Sequence, residues 1–71
     1  MTMNINEIFG KNVKERRINL HLSQEKLANL ADIDRTYLPE IERGVRNVSL
    51  NIAEKIAIAL DVELSDLIKK Q

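Results

Sequence analysis

The sequence predicts an all-α domain of five short helices, and three observations predict it. Apolar residues recur at helical spacing almost from end to end, and strand-like alternation is absent. A side chain able to cap a helix precedes each periodic segment: Asn4 or Asn6, then Ser23, Asp34, Ser49 and Ser65. Helix breakers are few, with Pro39 the only proline and Gly10 and Gly44 the only glycines, so other residues must make the turns. The 71 residues, 1–71, are read as a single domain. A domain this small buries only about 60% of the surface its unfolded chain exposes, which makes self-association an expected source of extra stability.

The elements follow in order. A first helix is expected over residues 6–20, with Ile5, Ile8, Phe9, Val13, Arg16, Arg17 and Leu20 near one face and Lys11, Lys14 and Glu15 outside. Asn4 with Glu7 three residues later forms a capping-box-like pair at its start. His21 is the expected left-handed stop, because Asn, Asp and His are the non-glycine residues that best tolerate positive φ. Ser23 caps a second helix, 24–31, and Asp32-Ile33 is a tight break. Asp34 caps a third, 35–43, which Gly44 ends in a left-handed residue. Residues 45–48 form a loop. Ser49 caps a fourth helix, 50–60, whose stripe Ala53, Ile56, Ala57 and Leu60 faces the core. Residues 61–64 lead to a short fifth helix, capped by Ser65 and ending near Lys69. Pro39 conflicts with this scheme. At about the fifth position of the third helix its ring crowds the Arg35 carbonyl, so either the helix bends or its first turn is not regular α.

Residues 24–43 carry the functional signal. Two short helices packed at a steep angle need a small residue at the close approach, and Ala28 supplies it. The sharp turn needs a residue that accepts positive φ, and Asp32 supplies it. Apolar residues must face inward on both sides, and Leu27, Ala31, Ile33, Leu38 and Ile41 do so. The result is a helix-turn-helix. With Leu38 and Ile41 inward, the outer face of the third helix presents Arg35, Thr36, Pro39, Glu40 and Arg43. Such a face can enter the major groove of double-stranded DNA. Arg35 can reach guanine O6 and N7 with two bonds, and Thr36 can bond a base edge or touch a thymine methyl. Glu40 can accept from cytosine N4, or be a solvated charge. The Tyr37 hydroxyl can bond a phosphate, or the ring can pack half-buried on the second helix. Arg43 and Arg46 flank the end of the third helix as phosphate clamps, with plain surface charge as the alternative.

The strings Ser23-Gln24-Glu25-Lys26-Leu27-Ala28 and Ile41-Glu42-Arg43-Gly44 resemble the phage-repressor (Cro) type of helix-turn-helix regulator, the XRE family, over about residues 6–68. The resemblance implies a five-helix lambda-repressor-like fold. Asp34-Arg35-Thr36-Tyr37, with Arg43-Gly44-Val45-Arg46-Asn47 and Ser49-Leu50, resembles more particularly the controller proteins of restriction–modification systems. That resemblance implies a short dimeric regulator of its own operon and of the endonuclease gene, bound to a pseudo-palindromic operator, with RNA polymerase as a further candidate partner. It implies that Gln24 grips the DNA backbone. It implies a partly buried ion pair, Arg17–Glu42, joining the first helix to the third, with Arg17 also a candidate phosphate contact. A phage-type repressor, or an antitoxin acting through a protein partner, is the alternative reading.

The dimerisation region is expected at about residues 50–69. Ile52 and Ile58 lie off the core stripe of the fourth helix, Leu64, Leu67 and Ile68 follow on the fifth, and a core this small cannot easily hide them all; an exposed apolar patch of this kind usually marks an interface. A well-packed monomer with exposed isoleucines is the alternative. The five helices leave no segment for a ligand-binding domain, so control through protein concentration is expected. The formal net charge is zero, unusual for a DNA-binding domain, but residues 11–46 hold eight Lys/Arg against six Asp/Glu. Weak non-specific DNA binding is the expected consequence. Catalysis is not expected: cysteine is absent, His21 is the only histidine, and there is no Gly-rich phosphate loop. No cofactor and no metal are expected. The first residues lack a basic stretch followed by an apolar one, and no apolar run approaches the roughly 20 residues of a membrane span, so a cytoplasmic location is expected.

Overall fold

The computed structural model describes residues 3–70. Within them lie five helices and no strand: α1 (Ile5–Asn19), α2 (Gln24–Ala31), α3 (Tyr37–Arg43), α4 (Leu50–Ala59) and α5 (Leu64–Leu67). The starts follow from side-chain caps. Asn4 and Glu7 form a reciprocal capping box on α1, the Asn4 side-chain Oδ1 accepting from the Glu7 N–H at 2.9 Å and the Glu7 carboxylate accepting from the Asn4 N–H at 3.0 Å. The Ser23 hydroxyl accepts from the Lys26 N–H on α2, and the Ser49 hydroxyl from the Ile52 N–H on α4.

The ends share one device. His21, Asp32, Gly44 and Asp61 are left-handed, with φ of 59°, 56°, 75° and 59°. In each case the next residue's N–H bonds back to the carbonyl five residues earlier: Leu22 to Arg17, Ile33 to Ala28, Val45 to Glu40, Val62 to Ala57. This Schellman closure satisfies the last carbonyls of a helix. Leu22, Ile33 and Val62 then turn inward against the core, so the same residue pair both stops a helix and anchors the next segment. His21, Asp32 and Gly44 are the expected stops; Asp61 is a fourth, at the start of the expected connection.

The boundaries of four helices and one inward face need correction. α1 begins and ends one residue earlier than expected, and α4 stops at Ala59. The inward face of α1 is Ile8, Phe9, Gly10, Asn12 and Val13; Ile5, Arg16 and Leu20 are exposed. α5 starts after Glu63, not Ser65: the Asp66 carboxylate accepts the Glu63 N–H at 3.1 Å, and the helix closes at Leu67. Asp34 does not cap a helix over 35–43. It accepts from the Thr36 N–H and hydroxyl at 2.9 and 2.8 Å, holding residues 34–36 in a turn, and α3 begins at Tyr37. That start removes the conflict at Pro39. It becomes the third helical residue, where an N–H has no partner in the helix, and Arg35 no longer offers a helical carbonyl to its ring.

The core is built from Phe9, Val13, Leu27, Ala28, Ala31, Leu38, Ile41, Ala53, Ile56, Ala57, Leu60 and Leu67. α1 lies mainly on α3, and α2 on α4. The α1–α3 crossing is close because Gly10 faces the Ile41 and Glu42 backbone; a Cβ there would overlap the Ile41 carbonyl oxygen. At the middle of α1 the buried Asn12 amide donates to the carbonyls of Leu67 and Lys69 at 2.9 and 2.8 Å, closing the end of α5. α3 is thus seated on α1, and α1 on α5.

Candidate nucleic-acid interface

α2 and α3 cross with Ala28 fully buried and Asp32 left-handed at the turn. The outer surface begins on the turn before α3. Arg35 and Thr36 are both exposed but lie outside the helix, a correction to the expected continuous face. The Asp34–Thr36 hydrogen bonds orient that turn. They also hold the Asp34 carboxyl below its ordinary value of 3.8, the Thr36 N–H contributing most and its hydroxyl next. Arg35 extends over α2, its Nη1 donating to the Glu25 carboxylate at 2.6 Å.

Arg46 sits at the other end of the surface. Its guanidinium lies 4.2 Å from the Tyr37 ring centre and donates to the Glu40 carboxylate at 2.7 Å. Tyr37 is half-buried against the core, which leaves one ring face to carry that cation. Glu40 is thus half-exposed, with one carboxylate oxygen engaged by Arg46 and the other without a partner among the described residues. Arg43 is exposed on the last turn of α3.

Beneath this surface runs a polar joint. The Arg17 Nε and Nη2 donate to the two Glu42 carboxylate oxygens at 2.7 and 3.0 Å, a bidentate pair, while Nη1 donates to the Leu22 carbonyl at 2.8 Å. The Glu42 side chain is only 4% exposed and that of Arg17 13%. The paired carboxylate pushes the Arg17 guanidinium above its usual range, its hydrogen bond outweighing the opposing effect of burial. Gln24, half-buried at the start of α2, donates to the same Glu42 carboxylate at 3.0 Å. One carboxylate on α3 thereby ties α1 and α2 to the outer helix, and the Gln24 amide nitrogen is used in that tie. Near the far edge, the Asn6 amide donates to the Asn47 side chain at 2.7 Å, linking α1 to the loop after α3.

The five expected interface residues do not form one patch. Leu67 belongs to the core, at 2% exposure, because α5 folds back over α1 and α4; this corrects its assignment. Ile52 packs against the core and lines a cleft with Tyr37 and Arg46. Ile58 is exposed beside Glu54, Asp61, Glu63 and Asp66. Leu64 and Ile68 line an apolar groove with Ile5, Phe9, Val48 and Leu50. Ile5 and Leu50 were missed; each reads as a helix end, and only the fold brings both ends together. Glu25 was also missed, since nothing in the sequence signals a pairing across ten residues and a turn. Among the described residues, no group of His, Asp and Glu is placed to hold a metal ion, and no helix is long and apolar enough to cross a membrane.

Two helices crossing at a small residue and a left-handed turn, with exposed arginines above a buried polar joint, define a helix-turn-helix protein. The chain belongs to the helix-turn-helix family, whose pattern matches residues 13–67. It is similar to the Control protein C.BamHI of Bacillus amyloliquefaciens, with 51% identity over 69 residues, covering 96% of this chain and 85% of that one. Among solved structures it is similar to the restriction-modification controller protein C.AhdI from Aeromonas hydrophila, with TM-score 0.84 and 47% identity, covering 87% of this chain and 94% of that one. It also resembles SinR, a master regulator for biofilm formation solved in complex with DNA, with TM-score 0.81 and 32% identity over 86% of this chain and 98% of that one.

Proposed function

We infer that this chain is a sequence-specific DNA-binding transcriptional regulator that binds operator DNA as a homodimer and controls a restriction–modification operon, its own promoter included. The observation that carries the reading is the exposed Arg35–Thr36 turn held above the Arg17–Glu42–Gln24 joint: charged donors project outward while their support is locked inside. In this reading Arg35 and Thr36 meet base edges in the major groove. Arg46, with Tyr37 beneath it, and Arg43 meet phosphates. Gln24 and the N–H groups at the start of α2 face the backbone. Glu40 positions Arg46. Arg17 acts through Glu42, and its bonds to Glu42 and Leu22 favour this structural role over a phosphate contact. The reading places the protein in the cytoplasm with no enzymatic activity, and leaves RNA polymerase as a partner for the promoter-bound dimer.

The test is binding to the DNA upstream of the chain's own gene and to random duplex, across a salt series. Steep salt dependence with preference for the upstream DNA is expected. A module acting only through protein partners shows neither. Arg35→Ala is expected to relax discrimination at one base pair by about 1–3 kcal/mol. Unchanged discrimination would remove Arg35 from the base-reading set.

For the dimer, the groove of Ile5, Leu50, Leu64 and Ile68 is the favoured face, with Leu50 78% exposed. A two-fold pair would present two reading surfaces roughly 34 Å apart, one turn of DNA. Leu50→Glu is expected to give monomers in sedimentation and to weaken operator binding about tenfold or more, as loss of a central interface residue does. A dimeric Leu50→Glu variant would move the interface elsewhere.

A further inference from the structure

Arg35 lies on a turn, not on a helix, and its side chain is 70% exposed. A long side chain in that setting samples many rotamers, and ordering it on DNA opposes binding. One contact restrains it: Nη1 donates to the Glu25 carboxylate on α2, at 2.6 Å. Among the described residues, the Nε and Nη2 hydrogens of Arg35 have no protein acceptor. That free edge is one of the two edges by which a guanidinium can donate two parallel bonds to a guanine. Glu25 can therefore keep its bond while Arg35 reads a base. The contact also places a negative charge on the first turn of α2, beside the proposed path of the phosphates, where it disfavours loose electrostatic association.

We propose that Glu25 is a positioning residue for sequence recognition: it holds Arg35 in its reading conformation while repelling DNA that offers Arg35 no partner. The proposal rests on the reading of Arg35 as a base contact. It assigns a specificity role to a residue on the supporting helix, with one carboxylate acting in opposite directions on the two modes of binding.

The test compares Glu25→Gln and Glu25→Asp with the unaltered chain on upstream DNA and on random duplex. Glu25→Gln is expected to weaken upstream binding roughly two- to fivefold, the scale of one exposed ion pair, while random-duplex binding tightens by about twofold. Glu25→Asp keeps the charge but shortens the reach. It is expected to lose upstream affinity like Glu25→Gln while random-duplex binding stays put. In an Arg35→Ala background neither substitution should change discrimination further. Thermal melting should match the unaltered chain, because both side chains are exposed. Affinities that rise together for both DNAs, or a Glu25→Asp variant that behaves as the unaltered chain, would reduce Glu25 to a plain charge and overturn the proposal. If Arg35→Ala relaxes discrimination but the Glu25 variants keep it, the positioning role alone is lost. If Arg35→Ala leaves discrimination intact, the base-contact reading and the positioning role are both lost.

Discussion

Glu42→Ala should lose about 3–5 kcal/mol of folding stability, the cost of stranding one partner of a buried ion pair. The Arg17 guanidinium would be left beneath the surface with only the Leu22 carbonyl, and Gln24 would lose its acceptor as well. A domain of this length has a total stability of only several kcal/mol, at roughly 0.05–0.15 kcal/mol per residue. Each kcal/mol lowers the melting temperature of so small a domain by about 4–8 °C. The melting temperature followed by circular dichroism should therefore fall by tens of degrees, and DNA binding should fail as a consequence of unfolding. Replacing both partners with apolar residues, Arg17→Met with Glu42→Leu, should recover much of the loss, because no charge is then left buried. A Glu42→Ala variant that melts with the parent chain would show that the pair is solvated and does not hold α3.

Gly10→Val should destabilise the domain at or above the upper end of the roughly 1–3 kcal/mol typical of overpacking. At an exposed helix position, filling a glycine usually helps, by up to about 1 kcal/mol for alanine. Here the sign reverses. The neighbour a Cβ would meet is the backbone oxygen of Ile41, which no side-chain rotation can move aside. α1 and α3 would have to separate, opening the core cluster that Phe9 and Val13 share with Leu38 and Ile41. Chemical denaturation should show a lower midpoint. At temperatures where the variant stays folded, operator affinity should still be reduced, because α3 supports the Arg35–Thr36 turn proposed to read DNA. Unchanged stability would mean that the two helices do not approach as closely as Gly10 allows.

The sequence made most of the helical scaffold legible because its signals are local. Capping at Asn4, Ser23 and Ser49, and the left-handed stops at His21, Asp32 and Gly44, depend on residues within one turn of each other. The differences fall where two local signals compete or where the partner lies far along the chain. Asp34 could bond either a helix terminus or its own turn, and Pro39 favoured the turn by making a helix that starts at Arg35 costly. Ser65 yielded to the Glu63–Asp66 pair, which caps α5 two residues earlier. Arg17 and Glu42 were paired only through family resemblance, since twenty-five residues and two turns separate them.

Composition, periodicity and caps alone determined that this chain is helical, where α2 lies, and that a polar segment beginning at Arg35 follows a sharp turn. Those properties depend on neighbours in sequence, and backbone sterics carry them without help from distant parts. Only the tertiary structure decided which other polar side chains meet: Glu25 with Arg35, Glu40 with Arg46 over Tyr37, and Gln24 with the Glu42 carboxylate. It also decided that Leu67 fills the core while Ile5 and Leu50 share a groove. Such pairings depend on the crossing of helices, which is set by close packing at Gly10 and Ala28, and no spacing along the chain encodes it.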